Sequence, residues 1–110
     1  MKKRIAIIIP YFGKWPDWFN LYHYSCSKNA GIDWIFYTDC LIPLQNYNNT
    51  FFHSISFKDY CKNVSNKLGI DFYPDSPYKL CGLKPFYGFI HSDILVDYEF
   101  WGFGDIDVIW

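Results

Sequence analysis

The chain has 110 residues, 51% of them hydrophobic and 24% aromatic, with ten lysines and arginines against eleven acids and a formal charge of −1. So apolar a composition excludes a disordered chain, and the length restricts it to one small domain with one sheet and a few helices. The balanced charge, with Arg4 the only arginine, supplies no general attraction to nucleic acid or anionic lipid, and no polynucleotide partner is expected.

Met1–Arg4 followed by Ile5–Ile9 imitates a secretory leader, but the apolar run is too short and ends at Pro10 without a small-residue cleavage site. The run instead suits a central strand covered on both faces of a parallel sheet. Pro10-Tyr11-Phe12-Gly13 forms the turn that leaves its carboxyl end. Pro16 then suits the first turn of a helix, having no amide hydrogen to lose there. Trp15, Trp18, Tyr22 and Cys26 recur at helical spacing as its buried face, and Asn29-Ala30-Gly31 supplies its stop. Trp34–Thr38 is the second strand, closed by Asp39, so the first three elements make a βαβ unit. Gln45–Thr50 is a polar loop and Phe51–Ile55 a third strand. Ser56 opens a capping box with Asp59, and Phe57, Tyr60, Cys61, Val64 and Leu68 form the apolar stripe of a helix ending at Gly69. After a proline-rich connection, a helical segment is predicted from near Tyr78, interrupted at Pro85 and reaching Val96, with Leu83, Tyr87, Ile90 and Ile94 buried. Phe100–Phe103 is the last strand before Gly104-Asp105-Ile106-Asp107, and Val108–Trp110 resembles the opening of another.

Cys26, Cys40, Cys61 and Cys81 contain no Cys-x-x-Cys pair, which argues against a structural zinc or dithiol site and for reduced, buried thiols. His23, His53 and His91 lie far apart with no ligand spacing and read as structural or exposed. Glycine-rich phosphate loops and the Gly-x-Ser-x-Gly elbow are absent. No run approaches the roughly 20 apolar residues of a membrane span, so a cytoplasmic protein is expected, with any membrane association peripheral.

Three constellations could carry chemistry. Asp105 and Asp107, two residues apart on extended chain, face one side and can share a hard cation, Mn2+ or Mg2+, that neutralises a diphosphate. Ten aspartates in this chain produce about one such pair by chance, so the weight lies in the setting between two apolar runs. Turn capping by one acid and an ion pair to lysine by the other is an equally open reading. The second constellation is the carboxyl rim of the parallel strands, with Pro10, Tyr11 and Phe12 after the first and Thr38 and Asp39 after the second. There an aromatic can stack on a base and a carboxylate can accept from a base or ribose, although loop aspartates more often cap turns. Lys79 and Lys84 form the third, either of them able to reach a phosphate as a point charge or to remain solvated.

Four blocks in fixed order, Lys3–Gly13, Asp33–Asp39, Pro77–Pro85 and Phe100–Ile109, resemble a family of bacterial GT-A-type glycosyltransferase-like proteins associated with capsule and surface-polysaccharide synthesis. The resemblance implies an α/β, Rossmann-like parallel sheet flanked by helices, the N-terminal, donor-binding part of a GT-A fold spanning residues 1–110. It further implies a nucleotide-diphosphate sugar donor, a saccharide acceptor and a divalent metal. On that resemblance Asp105 and Asp107 hold the metal, Pro10, Tyr11, Phe12 and Asp39 face the nucleotide, and Lys79 or Lys84 the diphosphate. The family's acceptor-binding half follows its Asp-x-Asp. This chain stops three residues past Asp107, so the catalytic base is expected elsewhere and the chain alone is expected to be inactive. The rival readings are a non-catalytic GT-A-like binding or assembly module and, more weakly, an Asp-x-Asp phosphatase.

Overall fold

The computed structural model describes residues 3–74 and 86–104. In chain order the elements are β1 (Lys3–Pro10), α1 (Phe19–Ser27), β2 (Ile32–Thr38), β3 (Thr50–Ser54), α2 (Phe57–Leu68), the short α3 (Tyr87–Ile90) and α4 (Ser92–Leu95), and β4 (Tyr98–Phe103). The four strands form one sheet in the order β3-β2-β1-β4, every neighbouring pair parallel. This is the α/β, Rossmann-like architecture expected of alternating strands and helices.

β1 and β2 are apolar on both faces because both faces are covered. Ala6 and Ile8 of β1 join Ile35 and Tyr37 of β2 in a core with Tyr60 and Val64 of α2, Tyr87 and Ile90 of α3, and Leu95 of α4. The alternate residues Ile9, Trp34 and Phe36 join Phe19, Tyr22 and Cys26 of α1 in a second core. One helix therefore lies on one face and the remaining helices on the other. Burying each of these large side chains contributes about 1.5–3 kcal/mol.

The two long helices differ in how their ends are made. α2 is capped as its sequence demands: the Asp59 N–H donates to Ser56 Oγ at 3.0 Å, and Gly69 closes the other end in the left-handed conformation at φ 68°. α1 begins at Phe19, three residues after Pro16, and Trp18 at its N-cap makes no side-chain capping hydrogen bond. The preceding turn is closed by the Phe19 N–H donating to the Pro16 carbonyl at 3.0 Å. Its buried face is accordingly Phe19, Tyr22, His23 and Cys26, while Trp18 is half exposed and Trp15 stacks ahead of the helix. Its stop comes from Asn29, whose Nδ2 donates to the Ser25 carbonyl at 2.9 Å.

The return to β3 is pinned by Asn49. Its buried carboxamide nitrogen lies 3.1 Å from each of the carbonyls of Cys26, Asn29 and Ile32, and its own carbonyl accepts from the Trp34 N–H at 2.8 Å. Downstream, the expected single helix up to Val96 is two turns broken at His91, which shifts the buried position from Ile94 to Leu95. The expected start near Tyr78, the interruption at Pro85, Leu83 and the strand at Val108–Trp110 lie outside the described residues. Cys26, Cys40 and Cys61 are buried free thiols, and burial pushes Cys26 up to about 12 and raises the other two. Among the described residues no helix is long and apolar enough to cross a membrane.

Candidate functional site

The chain runs from β1 outward through β2 to β3, then returns to place β4 on the other side of β1. The direction of winding thus reverses between β1 and β4, and open parallel sheets present their ligand crevice at the carboxyl ends of such a pair. The rim there is built by β1's exit loop and the end of β2. Pro10 is in register with Tyr37, and the Tyr11 N–H donates to the Tyr37 carbonyl at 2.8 Å, extending the ladder by one residue. Gly13 then adopts φ 109°, which a side chain would disfavour, and its N–H donates to Asp39 Oδ1 at 2.9 Å. Asp39 is exposed and makes no second hydrogen bond among the described residues. One carboxylate oxygen closes the loop, and the other makes no hydrogen bond among the described residues. The structure therefore brings Asp39 and the Tyr11–Gly13 loop together across 26 residues of chain.

The two aromatics of that loop diverge. Tyr11 stays at the rim, partly exposed, with its ring stacked on Trp15 at 5.3 Å and 13°. Trp15 is fixed in turn by stacking on Phe19 at 3.9 Å and by donating Nε1 to the Leu41 carbonyl at 2.7 Å. Phe12 turns inward and is only 6% exposed, its ring against Phe57 and Tyr60 at 5.3 Å each. Its ring is committed to the core. Gly104, immediately after β4, sits so close to β1 that an added Cβ would lie 3.1 Å from Ile7 Cγ2. Lys79, Lys84, Asp105 and Asp107 lie outside the described residues. Among the described residues no group of three or more His, Cys, Asp or Glu side chains could hold a metal ion.

A second cluster of polar groups was not apparent from spacing. Parallel pairing of β2 and β3 sets Tyr37 opposite His53, and their rings stack at 4.7 Å and 12°. The break between α3 and α4 brings His91 to the other side, where its ring stacks on Tyr37 at 4.4 Å and 29°. His91 Nε2 shares a 2.9 Å hydrogen bond with the Tyr60 hydroxyl. Burial holds His91 down at about 4, against the opposing pull of Asp93, while His53 and Lys67 push in the same direction as burial. The imidazole is neutral at physiological pH. Burial, reinforced by Asp93, likewise raises the Tyr37 phenol, which stays protonated. Tyr37, Tyr60 and His91 line a groove of about 370 Å3 between α2 and the α3–α4 break, whose outer wall includes Asn63, Asn66, Lys67 and Asp93. The separations 37–53–91 carry no local periodicity, and only strand register and the helix break unite them.

No curated protein and no solved structure matches this chain. A protein-family model does match, over residues 7–110, and the chain accordingly belongs to DUF6625, a family of unknown function.

Proposed function

We propose that this chain is the donor-binding part of a GT-A-type glycosyltransferase, taking a nucleotide-diphosphate sugar at the carboxyl rim beside β1. The observation that supports it is the parallel order β3-β2-β1-β4, with Gly13 tied to Asp39 at its rim. Tyr11 offers a ring edge and hydroxyl at that rim, and the other oxygen of Asp39 offers an acceptor for base or ribose hydrogens. Phe12 supports the loop from beneath. Asp105 and Asp107 follow β4 directly in sequence and are assigned to Mn2+ or Mg2+, with Lys79 or Lys84 on the diphosphate. A bound divalent ion would neutralise charge on the departing nucleoside diphosphate. The acceptor is a saccharide hydroxyl, whose oxygen bonds to the anomeric carbon as the bond to the diphosphate breaks and whose proton passes to a base or to water. A role in surface-polysaccharide synthesis in the cytoplasm follows from the same reading.

Calorimetric titration of UDP and GDP, with and without Mn2+, tests this on the wild type, Asp107→Asn and Asp39→Asn. Metal-dependent binding of one nucleotide, weakened about tenfold or more in both variants, is the expected outcome. Failure of either nucleotide to bind a protein whose far-UV spectrum and amide protection show it folded sinks the reading. Binding of a nucleotide sugar without transfer to any saccharide favours the non-catalytic module.

A further inference from the structure

We propose that the groove between α2 and the α3–α4 break is a separate binding site for a neutral, hydroxyl-rich ligand of mono- to disaccharide size. Its floor is made of polar residues that are themselves buried, with Tyr37 at 9% exposure, His91 at 5% and Tyr60 at 2%. Buried polar atoms are normally paired within the protein. Here the Tyr60 hydroxyl and His91 Nε2 satisfy each other, whereas the Tyr37 hydroxyl and His91 Nδ1 have no hydrogen-bond partner among the described residues. Neither is a fully enclosed orphan, and both residues line the groove. Two deeply set, uncharged hydrogen-bonding atoms thus wait for a ligand that can both donate and accept.

The wall narrows the class. Asn63 and Asn66 add exposed carboxamides, each with a donor and an acceptor end. Lys67 and Asp93 bring one positive and one negative charge to the same groove, which leaves no net charge to attract an anion or a cation. A phosphate would meet a single ammonium opposed by a carboxylate. A nucleobase would need an open aromatic face, and both faces of Tyr37 are covered by imidazoles. Hydroxyl groups, which donate and accept at each oxygen, suit a neutral donor–acceptor lining of this kind, and Ile90 supplies an apolar patch for ring carbons. The volume of about 370 Å3 lies at the small end of ligand pockets. This site stands on its own chemistry. Only its use as the acceptor end of a transferase rests on the donor reading.

The test is NMR titration of the whole chain with a panel of glucose, galactose, mannose, N-acetylglucosamine, maltose and lactose. Inorganic phosphate and UDP with Mn2+ serve as controls. At least one sugar is expected to shift the His91 ring, the Asn63 and Asn66 side-chain amides and the Ile90 methyls together. Tyr37→Phe, which removes one hydroxyl and keeps the ring stack, and Asn66→Ala should each weaken that binding by about tenfold. Asp107→Asn should leave it unchanged while weakening the nucleotide response about tenfold or more, so the two sites fail separately. The proposal is overturned if no sugar in the panel moves those resonances, if phosphate moves them more than any sugar, or if Tyr37→Phe binds as the wild type does.

Discussion

Phe12 and Asp39 hold the same loop from opposite sides, and their substitutions should behave oppositely. Phe12→Ala removes a ring buried against Phe57 and Tyr60 and should cost about 3–5 kcal/mol in urea unfolding. Asp39→Asn keeps an oxygen for the Gly13 N–H, so it should cost less than about 1 kcal/mol while weakening nucleotide binding. A large stability loss in Asp39→Asn would mean that its charge serves the fold instead of a ligand. His91 makes a further prediction because its folded value, about 4, lies below the ordinary imidazole value of 6.5. As pH falls, the unfolded chain takes up this proton first, so stability is retained above the ordinary value and lost progressively down to about 4. His23 and His53 are lowered in the same direction and add to the effect. The contribution of His91 amounts to about 3 kcal/mol when fully expressed. Urea midpoints followed from neutral pH to about 4 should therefore fall, and fall less steeply in His91→Gln. Equal slopes in the two proteins would show that His91 does not titrate differently in the folded state.

At the scale of elements, helix ends explain where prediction succeeded and where it slipped. Ser56, Asp59 and Gly69 specify both ends of α2 through local hydrogen bonds and one left-handed residue, and these groups occupy their expected places. Ser56→Ala should cost about 1 kcal/mol, and Gly69→Ala a similar amount through its positive φ. Thermal unfolding of the two variants checks both. α1 lacks such a signal at Trp18, so its start was set by packing of Phe19 on Trp15, Tyr22 and Phe36. Docking of α3 on β4 depends on Gly88, where an added Cβ would lie 2.5 Å from Trp101 Cζ2. Gly88→Ala should force that indole aside, cost about 1–3 kcal/mol, and displace the Trp101 indole N–H resonance. An unmoved resonance would contradict the packing of α3 on β4.

At the scale of the whole molecule, β1 and β2 lie inside the sheet with a partner on each side, while β3 and β4 are its edges among the described residues. Hydrogen exchange should be slowest in Ile5–Ile9 and Trp34–Tyr37 and faster in β3, whose side chains are mostly exposed. Comparable protection in all four strands would mean that the edges are covered in solution. The all-parallel α/β architecture was legible because it is encoded by short-range patterns. Ile5–Ile9 and Trp34–Thr38 read as buried strands, the spacing from Phe57 to Leu68 as an amphipathic helix, and their alternation as a crossover fold. The rim was legible in part: Asp39 and the Tyr11–Gly13 loop were nominated as strand-end residues, but the bond joining them, and the turning of Phe12 into the core, were not. The stacked polar cluster beside the groove was illegible. Tyr37, His53 and His91 meet through parallel register and a helix break, both set by long-range pairing and packing that leave no periodic trace in the chain. The sequence by itself determined which segments become strands and helices, because propensity, capping and apolar period act over a few residues. Tertiary structure alone decided which polar side chains share a groove, because contacts between distant residues depend on how the elements are assembled.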